Sequence, residues 1–272
     1  MKNFLITSWN ALKYLLIYFV LQVMGMFVVG MYYGMRHGKN TPQDELAGMV
    51  MQNVFQVTTI AAAISLLVYW LMLRRKEETL WKKRSLGKIY PYQTLLGIAT
   101  SIGLAAFTCS LAGIIQYMFP NYTEVAKNIE STRGSMIGII CMIVLLPTFE
   151  EILFRGLIFN EFRKNTNIKI AVIVQAFIFA VSHGNLLQGI YTFIIGLVIC
   201  CIYMWTNSLW SAIIVHISYN FLGVFVFPYL LNTGVLDVNT GIAGGIAIMA
   251  ISLAALFRSV KEEEIQEVSL SE

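Results

Sequence analysis

The chain has 272 residues, of which 57% are hydrophobic and only 12% are charged. This composition excludes a soluble globular fold and is typical of a polytopic membrane protein. The formal net charge of +4 says little by itself, because the distribution of Lys and Arg among the loops is what sets the orientation of a membrane protein.

Apolar runs long enough to cross a bilayer, about 20 residues each, follow one another along the whole chain. They cover residues 11–33, 50–73, 92–119, 135–159, 168–183, 186–206, 208–231 and 241–258, and the fifth is short. We therefore predict an all-α polytopic membrane protein of about eight transmembrane helices that form one bundle around an intramembrane polar cavity. Residues 1–272 are expected to form a single integral-membrane domain that ends in a frayed, solvated acidic tail over residues 259–272.

The loop between the second and third runs is strongly basic. It carries seven cationic side chains, those of Arg74, Arg75, Lys76, Lys82, Lys83, Arg84 and Lys88. The positive-inside rule places such a loop in the cytoplasm. Counting spans from this loop predicts a multi-pass protein of the cell membrane with both termini cytoplasmic.

Few ionisable side chains lie inside the apolar runs. They are Glu150, Glu151, Arg155, His183 and His216, with Lys13 near the first membrane interface. Each such charge near the centre of a bilayer costs about 2.5–3.5 kcal/mol, so these side chains are expected to face protein or water. Ionisable residues inside a membrane are candidates for function, and a structural ion pair is the alternative.

The fourth run carries two adjacent carboxylates. Glu151 and Arg155 are spaced i, i+4, so they share a helical face and are expected to neutralise one another. Glu150 points about 100° away around the helix and lacks that partner. A carboxylate in this position suits a general base, while a purely structural role for both acids is the alternative.

His183 closes the fifth run, four residues after Phe179. The fourth and fifth runs are joined by a polar turn around Thr166, which lies sixteen residues after Glu150 and seventeen before His183. In an antiparallel hairpin of helices the two side chains would reach the same height and could share one water. A satisfied core histidine is the alternative.

His216 and Asn220 are spaced i, i+4 on the seventh run. An imidazole N–H and a carboxamide N–H₂ are both donors, and two donors that converge on one point describe an oxyanion site. Hydrogen bonds that merely join helices would use the same residues.

Other intramembrane protease chemistries lack their residues here. The chain has no HExxH motif, and its two aspartates, Asp44 and Asp237, lie in predicted loops. The remaining candidates are Glu150, His183, His216 and Asn220.

These residues resemble the CPBP family of intramembrane proteases, which includes the Ras-converting type II CAAX prenyl endopeptidases and bacterial relatives. The family motifs EExxxR, FxxxH and HxxxN correspond, in order, to Glu150–Glu151 with Arg155, Phe179 with His183, and His216 with Asn220. The resemblance covers residues 147–220 as a motif-bearing catalytic core.

The resemblance implies eight helices around a cavity that opens toward the cytosol. It implies that Glu150 and His183 activate the attacking water and that His216 and Asn220 stabilise the oxyanion. The family has also been described as metal-dependent, and Glu150, His183 and His216 are the alternative zinc ligands. We favour chemistry without a metal, because an Asn donor beside the second His fits an oxyanion hole better than a ligand sphere.

The sequence thus predicts an intramembrane endopeptidase. Its expected partners are a membrane-embedded or membrane-associated peptide and the lipid bilayer, with no nucleic acid. Two other functions stay open at this point: a non-proteolytic membrane adaptor or immunity protein that keeps the fold, and a proton-coupled transporter that uses Glu150 and His183 as a relay.

Overall fold

A computed structural model describes residues 2–38, 41–74, 87 and 90–271. Its helices, numbered here in chain order, are α1 (Lys2–His37), α2 (Gln43–Met51), α3 (Val54–Leu73), α4 (Pro91–Ile115), α5 (Tyr122–Thr132), α6 (Met136–Asn165), α7 (Ile168–Val181), α8 (Leu186–Thr206), α9 (Leu209–Asn232) and α10 (Val238–Ser271). Within these described ranges, seven helices are long and apolar enough to cross a membrane, namely α1, α3, α4, α6, α8, α9 and α10. The protein is an all-α polytopic membrane protein, as the sequence predicted.

The predicted fifth span, which is already the short one of the eight runs, is not long enough to cross a bilayer. Helix α7 has 14 residues and rises about 21 Å, which is less than the roughly 30 Å of a bilayer core. The helix ends because Gly184 adopts a positive φ of 68°, and the Asn185 side chain then caps α8 by accepting from the Gln188 backbone N–H. The run over residues 168–183 was therefore correctly predicted as helical, but its length does not reach that of a span.

Two helices lie where the sequence predicted loops. Helix α2 places Asp44 and Glu45 in its first turn, where carboxylates interact favourably with the helix dipole. The expectation that Asp44 lies in a loop is therefore wrong. Helix α5 occupies most of the predicted loop between the third and fourth runs.

One compact unit comprises Met1–Leu80 and Thr123–Asn167. In it, α1 packs along α3, where the Tyr69 hydroxyl donates to the Tyr14 carbonyl oxygen at 2.7 Å and their rings meet edge to face. Near its start, α1 also contacts the end of α6, because Asn10 Nδ2 donates to Glu161 Oε1 at 2.6 Å.

The second compact unit comprises Trp81–Tyr122 and Ile168–Glu272. Helix α4 packs so closely on α10 that a Cβ on Gly103 would lie 2.5 Å from the Met249 backbone nitrogen. Thr100 and Ser252 join the same two helices by a buried hydrogen bond of 2.9 Å. The other face of α4 carries α9, as described below. The expectation that the whole chain forms a single domain stays a prediction.

The basic loop can be compared with the structure at one of its cations only. Arg74 caps the end of α3, whereas Arg75, Lys76, Lys82, Lys83, Arg84 and Lys88 lie outside the described residues. The cytoplasmic placement of this loop stays a prediction.

Helix α10 continues through Ser271 into the predicted acidic tail, whose solvation stays a prediction. Near the start of the tail, Gln93 Nε2 donates to Glu263 Oε2 at 2.6 Å, which ties the tail to the first turn of α4.

Candidate active site

Helix α6, which carries the paired carboxylates, is not a regular α-helix. Wide π turns over Cys141–Leu145 and Ile152–Phe159 flank the α-helical segment Leu146–Glu151. The first wide turn precedes Pro147, whose ring clashes with the preceding turn and which has no N–H to donate. Such π segments are frequent at functional sites, and here the second one begins directly after Glu151.

Glu151 and Arg155 form the predicted ion pair. Arg155 Nη1 donates to Glu151 Oε1 at 2.8 Å, and both side chains are 0% exposed. Glu150 is half-buried and points away from this pair, as its position one residue earlier on the helix requires. The two adjacent carboxylates therefore have different environments.

Tyr18 of α1 lies beside Glu150, and the sequence analysis did not single it out. Its ring packs against that of Phe149 with centroids 4.6 Å apart, and its hydroxyl is close enough to interact electrostatically with the Glu150 carboxylate. The one available signal was a tyrosine inside a long apolar run, which hydropathy alone does not distinguish from a lipid-facing residue.

His183 lies in the turn that ends α7, and its ring orientation is fixed by the main chain. Its Nδ1 lies 2.8 Å from the carbonyl oxygen of Phe179. Because a carbonyl only accepts, Nδ1 must carry the proton, and Nε2 of the neutral ring then presents a lone pair. This tautomer suits a base or a hydrogen-bond acceptor.

Phe179 joins the two predicted histidines. Its ring is almost fully buried and meets the His183 ring edge to face at 4.9 Å and the His216 ring edge to face at 5.9 Å. The motif phenylalanine is therefore a common wall for both imidazoles.

His216 and Asn220 lie on one face of α9, with His216 buried and Asn220 half-buried. Helix α4 contacts this segment through the residues that directly precede the two predicted donors, Val215 before His216 and Tyr219 before Asn220. Ser101 Oγ donates to the Val215 carbonyl oxygen at 2.9 Å, and Thr108 and Tyr219 share a hydroxyl hydrogen bond of 3.0 Å. Two residues after Asn220 the helix widens into a π segment, Leu222–Val226, which precedes Pro228.

The structure thus brings together Phe179, His183 and His216 in one compact unit, while Glu150, Glu151 and Arg155 belong to the other. The convergence of Glu150 with His183, which the hairpin register predicts, stays a prediction.

Among the residues that the structure describes, no three His, Cys, Asp or Glu side chains form a group that could hold a metal ion. Both the metal-free chemistry and the zinc alternative stay predictions, and no step proposed below passes through a metal.

Comparison with known proteins locates the family signal in the same part of the chain. Residues 132–222 match the family described as type II CAAX prenyl endopeptidase Rce1-like. The resemblance to this protease family is confirmed. This Rce1-like region contains all four predicted catalytic residues, Glu150, His183, His216 and Asn220.

A curated protein of Bacillus subtilis (strain 168), named "Putative membrane peptidase YdiL", is similar over a longer stretch. It is 24% identical over 213 residues, which cover 76% of this chain and 84% of that protein. No solved structure matches the chain. Together with the Rce1-like region, this relative supports membrane protease activity as the coarse function of the protein.

Proposed function

We propose that the protein is an intramembrane endopeptidase that uses Glu150 and His183 to activate water. The observation that carries this proposal is the placement of His183 and His216 on one buried phenylalanine ring, inside the Rce1-like region that also contains Glu150 and Asn220.

In the first step, Glu150 takes a proton from water as the oxygen attacks the scissile carbonyl carbon. The Nε2 lone pair of His183 accepts the second hydrogen of this water and orients it. The buried Glu151–Arg155 pair anchors the helix next to Glu150 without contributing net charge. The tetrahedral intermediate then collapses, and protonated Glu150 gives its proton to the leaving amine.

His216 and Asn220 would donate hydrogen bonds to the negative oxygen of the intermediate. Their helix is held by Ser101 and Thr108 through hydrogen bonds in the buried interior, which supports donors that are fixed before a substrate binds. Preorganised donors of this kind stabilise the transition state more than the ground state.

The substrate we propose is a peptide segment of a membrane-associated protein, and the bilayer is the second partner. The Rce1-like region makes a prenylated CAAX peptide the first substrate to test. We also propose that the protein resides in the cell membrane with both termini in the cytoplasm, as the basic loop predicts.

The test uses purified full-length protein in proteoliposomes and an internally quenched CAAX peptide, with and without a farnesyl group. We expect cleavage by the wild type. We expect Glu150→Gln and His183→Ala to lower kcat by about 10²–10⁴-fold, which is the usual contribution of acid–base catalysis. His216→Ala and Asn220→Ala should lower kcat by about 10²–10³-fold, as for other oxyanion donors.

Matched controls come from the same residue types outside the region. His37→Ala and Glu130→Gln change the third histidine and an exposed glutamate, and both should cleave at the wild-type rate. Cleavage at that rate by inserted, folded Glu150→Gln or His183→Ala would refute the proposal. Treatment with a chelator should leave the rate unchanged, whereas a loss that Zn²⁺ restores would favour the zinc alternative.

A further inference from the structure

Gln175 is a buried polar side chain that the mechanism above does not use. It lies in the middle of α7 and is 0% exposed. Neither its Nε2 nor its Oε1 has a hydrogen-bond partner among the residues that the structure describes. A carboxamide buried in this way leaves bulk water without gaining a hydrogen bond from these residues.

Stability does not account for a glutamine at this position. An apolar side chain of similar length, such as methionine, would fill the same volume without burying unpaired donor and acceptor groups. The other buried glutamine of the described chain, Gln93, shows the usual solution, because its Nε2 donates to Glu263. Gln175 therefore differs from Gln93 in keeping both amide atoms unpaired.

The position of Gln175 on α7 connects it to the histidines. It lies four residues before Phe179, on the same helical face, and eight residues before His183. The rotation of this face is fixed, because Ala176 packs against Gly196 of α8, where a Cβ would approach the Ala176 Cβ to 3.2 Å. Gln175 is thus held about 6 Å along the helix from the ring that contacts both imidazoles.

A carboxamide carries one donor group and one acceptor, which complement the C=O and N–H of a peptide bond. A peptide that is cleaved inside a membrane must be locally unwound, and its freed backbone groups then need partners in place of water. We propose that Gln175 is a substrate-binding residue that pairs with the main chain of the peptide substrate. This inference rests on the proposed function and deepens it by naming what the site recognises.

The helix geometry also gives the distance from the scissile bond. Six residues of α-helix lead from Gln175 to Val181 and two residues of turn lead on to His183, which together span about 12 Å along the axis. An extended peptide advances about 3.3–3.6 Å per residue, so Gln175 pairs with a backbone group roughly three to four residues from the scissile bond. Because the contact is with the main chain, it tolerates different side chains in the substrate.

The first experiment measures cleavage and thermal unfolding of Gln175→Met in the full-length protein. We expect KM to rise about tenfold or more with kcat within threefold of the wild type, and Tm to rise by a few degrees because an unpaired amide is removed. Gln93→Met is the matched control, and it should lower Tm and leave KM unchanged, since it leaves Glu263 without its partner. An unchanged KM for Gln175→Met would overturn the proposal, whether Tm rises or falls.

A second experiment measures binding without cleavage. A fluorescent substrate peptide is titrated into Glu150→Gln and into Glu150→Gln/Gln175→Met, using a series in which single peptide bonds are replaced by esters. The ester three or four residues from the scissile bond should weaken binding to the first protein about tenfold and should have no further effect on the second. Equal sensitivity of both proteins to every ester would contradict pairing with the main chain.

The two experiments separate this inference from the proposed function. If the wild type cleaves and both Gln175 results are negative, only the substrate-binding role is wrong. If the wild type does not cleave but Glu150→Gln binds the peptide through Gln175, the protease proposal is wrong and the binding role is supported. If the peptide neither binds nor is cleaved, both proposals fail.

Discussion

The buried pair of Glu151 and Arg155 gives the sharpest prediction about stability. The two groups are joined at 2.8 Å and neither side chain is exposed, so the loss of one removes the ion-pair partner of a charge that stays buried. We expect Glu151→Gln and Arg155→Met each to destabilise the protein by about 3–5 kcal/mol, which corresponds to a fall in Tm of roughly 6–20 °C.

The measurement is thermal unfolding of the full-length protein in one detergent, completed by the double variant Glu151→Gln/Arg155→Met. This variant buries no lone charge and should be more stable than the sum of the single effects indicates. Arg163→Met is the control, because Arg163 lies on the same helix but is exposed and should change stability by less than about 0.5 kcal/mol. A Tm within about 2 °C of the wild type for either single variant, roughly the noise of the assay, would refute the reasoning.

Three further predictions concern the scaffold. Thr108→Val removes the hydroxyl that bonds Tyr219, so it should lower the free energy of unfolding by about 0.5–1.5 kcal/mol and also lower kcat. Thr108→Ser keeps the hydroxyl and should keep the wild-type stability and kcat. Equal behaviour of the two variants would contradict this prediction. Gly103→Ala places a Cβ 2.5 Å from backbone of α10 and should cost at least about 1–3 kcal/mol, whereas Gly113→Ala, which meets nothing within 4 Å, should not. Asp237 precedes α10 and caps its first turn, because its carboxylate accepts hydrogen bonds from the side chain and the backbone N–H of Thr240. These hydrogen bonds hold the pKa of Asp237 below its usual range. The cap should therefore stabilise α10 at a pH above the pKa of Asp237 in the unfolded chain, and this stabilisation should be lost as the pH falls through the lower pKa of the folded protein. Carbon-13 labelling of the two aspartates should show this titration by NMR, and Thr240→Val should raise the pKa of Asp237.

Hydropathy predicted the helical class and most of the helices, because burial in lipid requires long apolar runs. It overestimated α7, since the run from 168 to 183 gives no sign that Gly184 adopts a positive φ and ends the helix. It also missed α2 and α5, whose polar sequences look like loops.

Side-chain spacing predicted contacts within one helix well. The i, i+4 rule found the pair of Glu151 and Arg155, because that interaction depends only on helical geometry. The wide turns beside Glu151 and Asn220 were not predicted, because a π segment depends on how neighbouring helices pack. The unpaired amide of Gln175 was not predicted, because a sequence does not show whether a buried amide finds a partner.

The hydrogen bond from His183 to Phe179 has a consequence for mutagenesis. Its acceptor belongs to the main chain, so replacing the phenyl ring by any other side chain leaves the acceptor in place. A scan of position 179 would then report only on how the aromatic wall supports the imidazoles. The backbone conformation at the end of α7 therefore determines which tautomer of the neutral His183 ring is present. Only a change in that backbone conformation would favour the other tautomer.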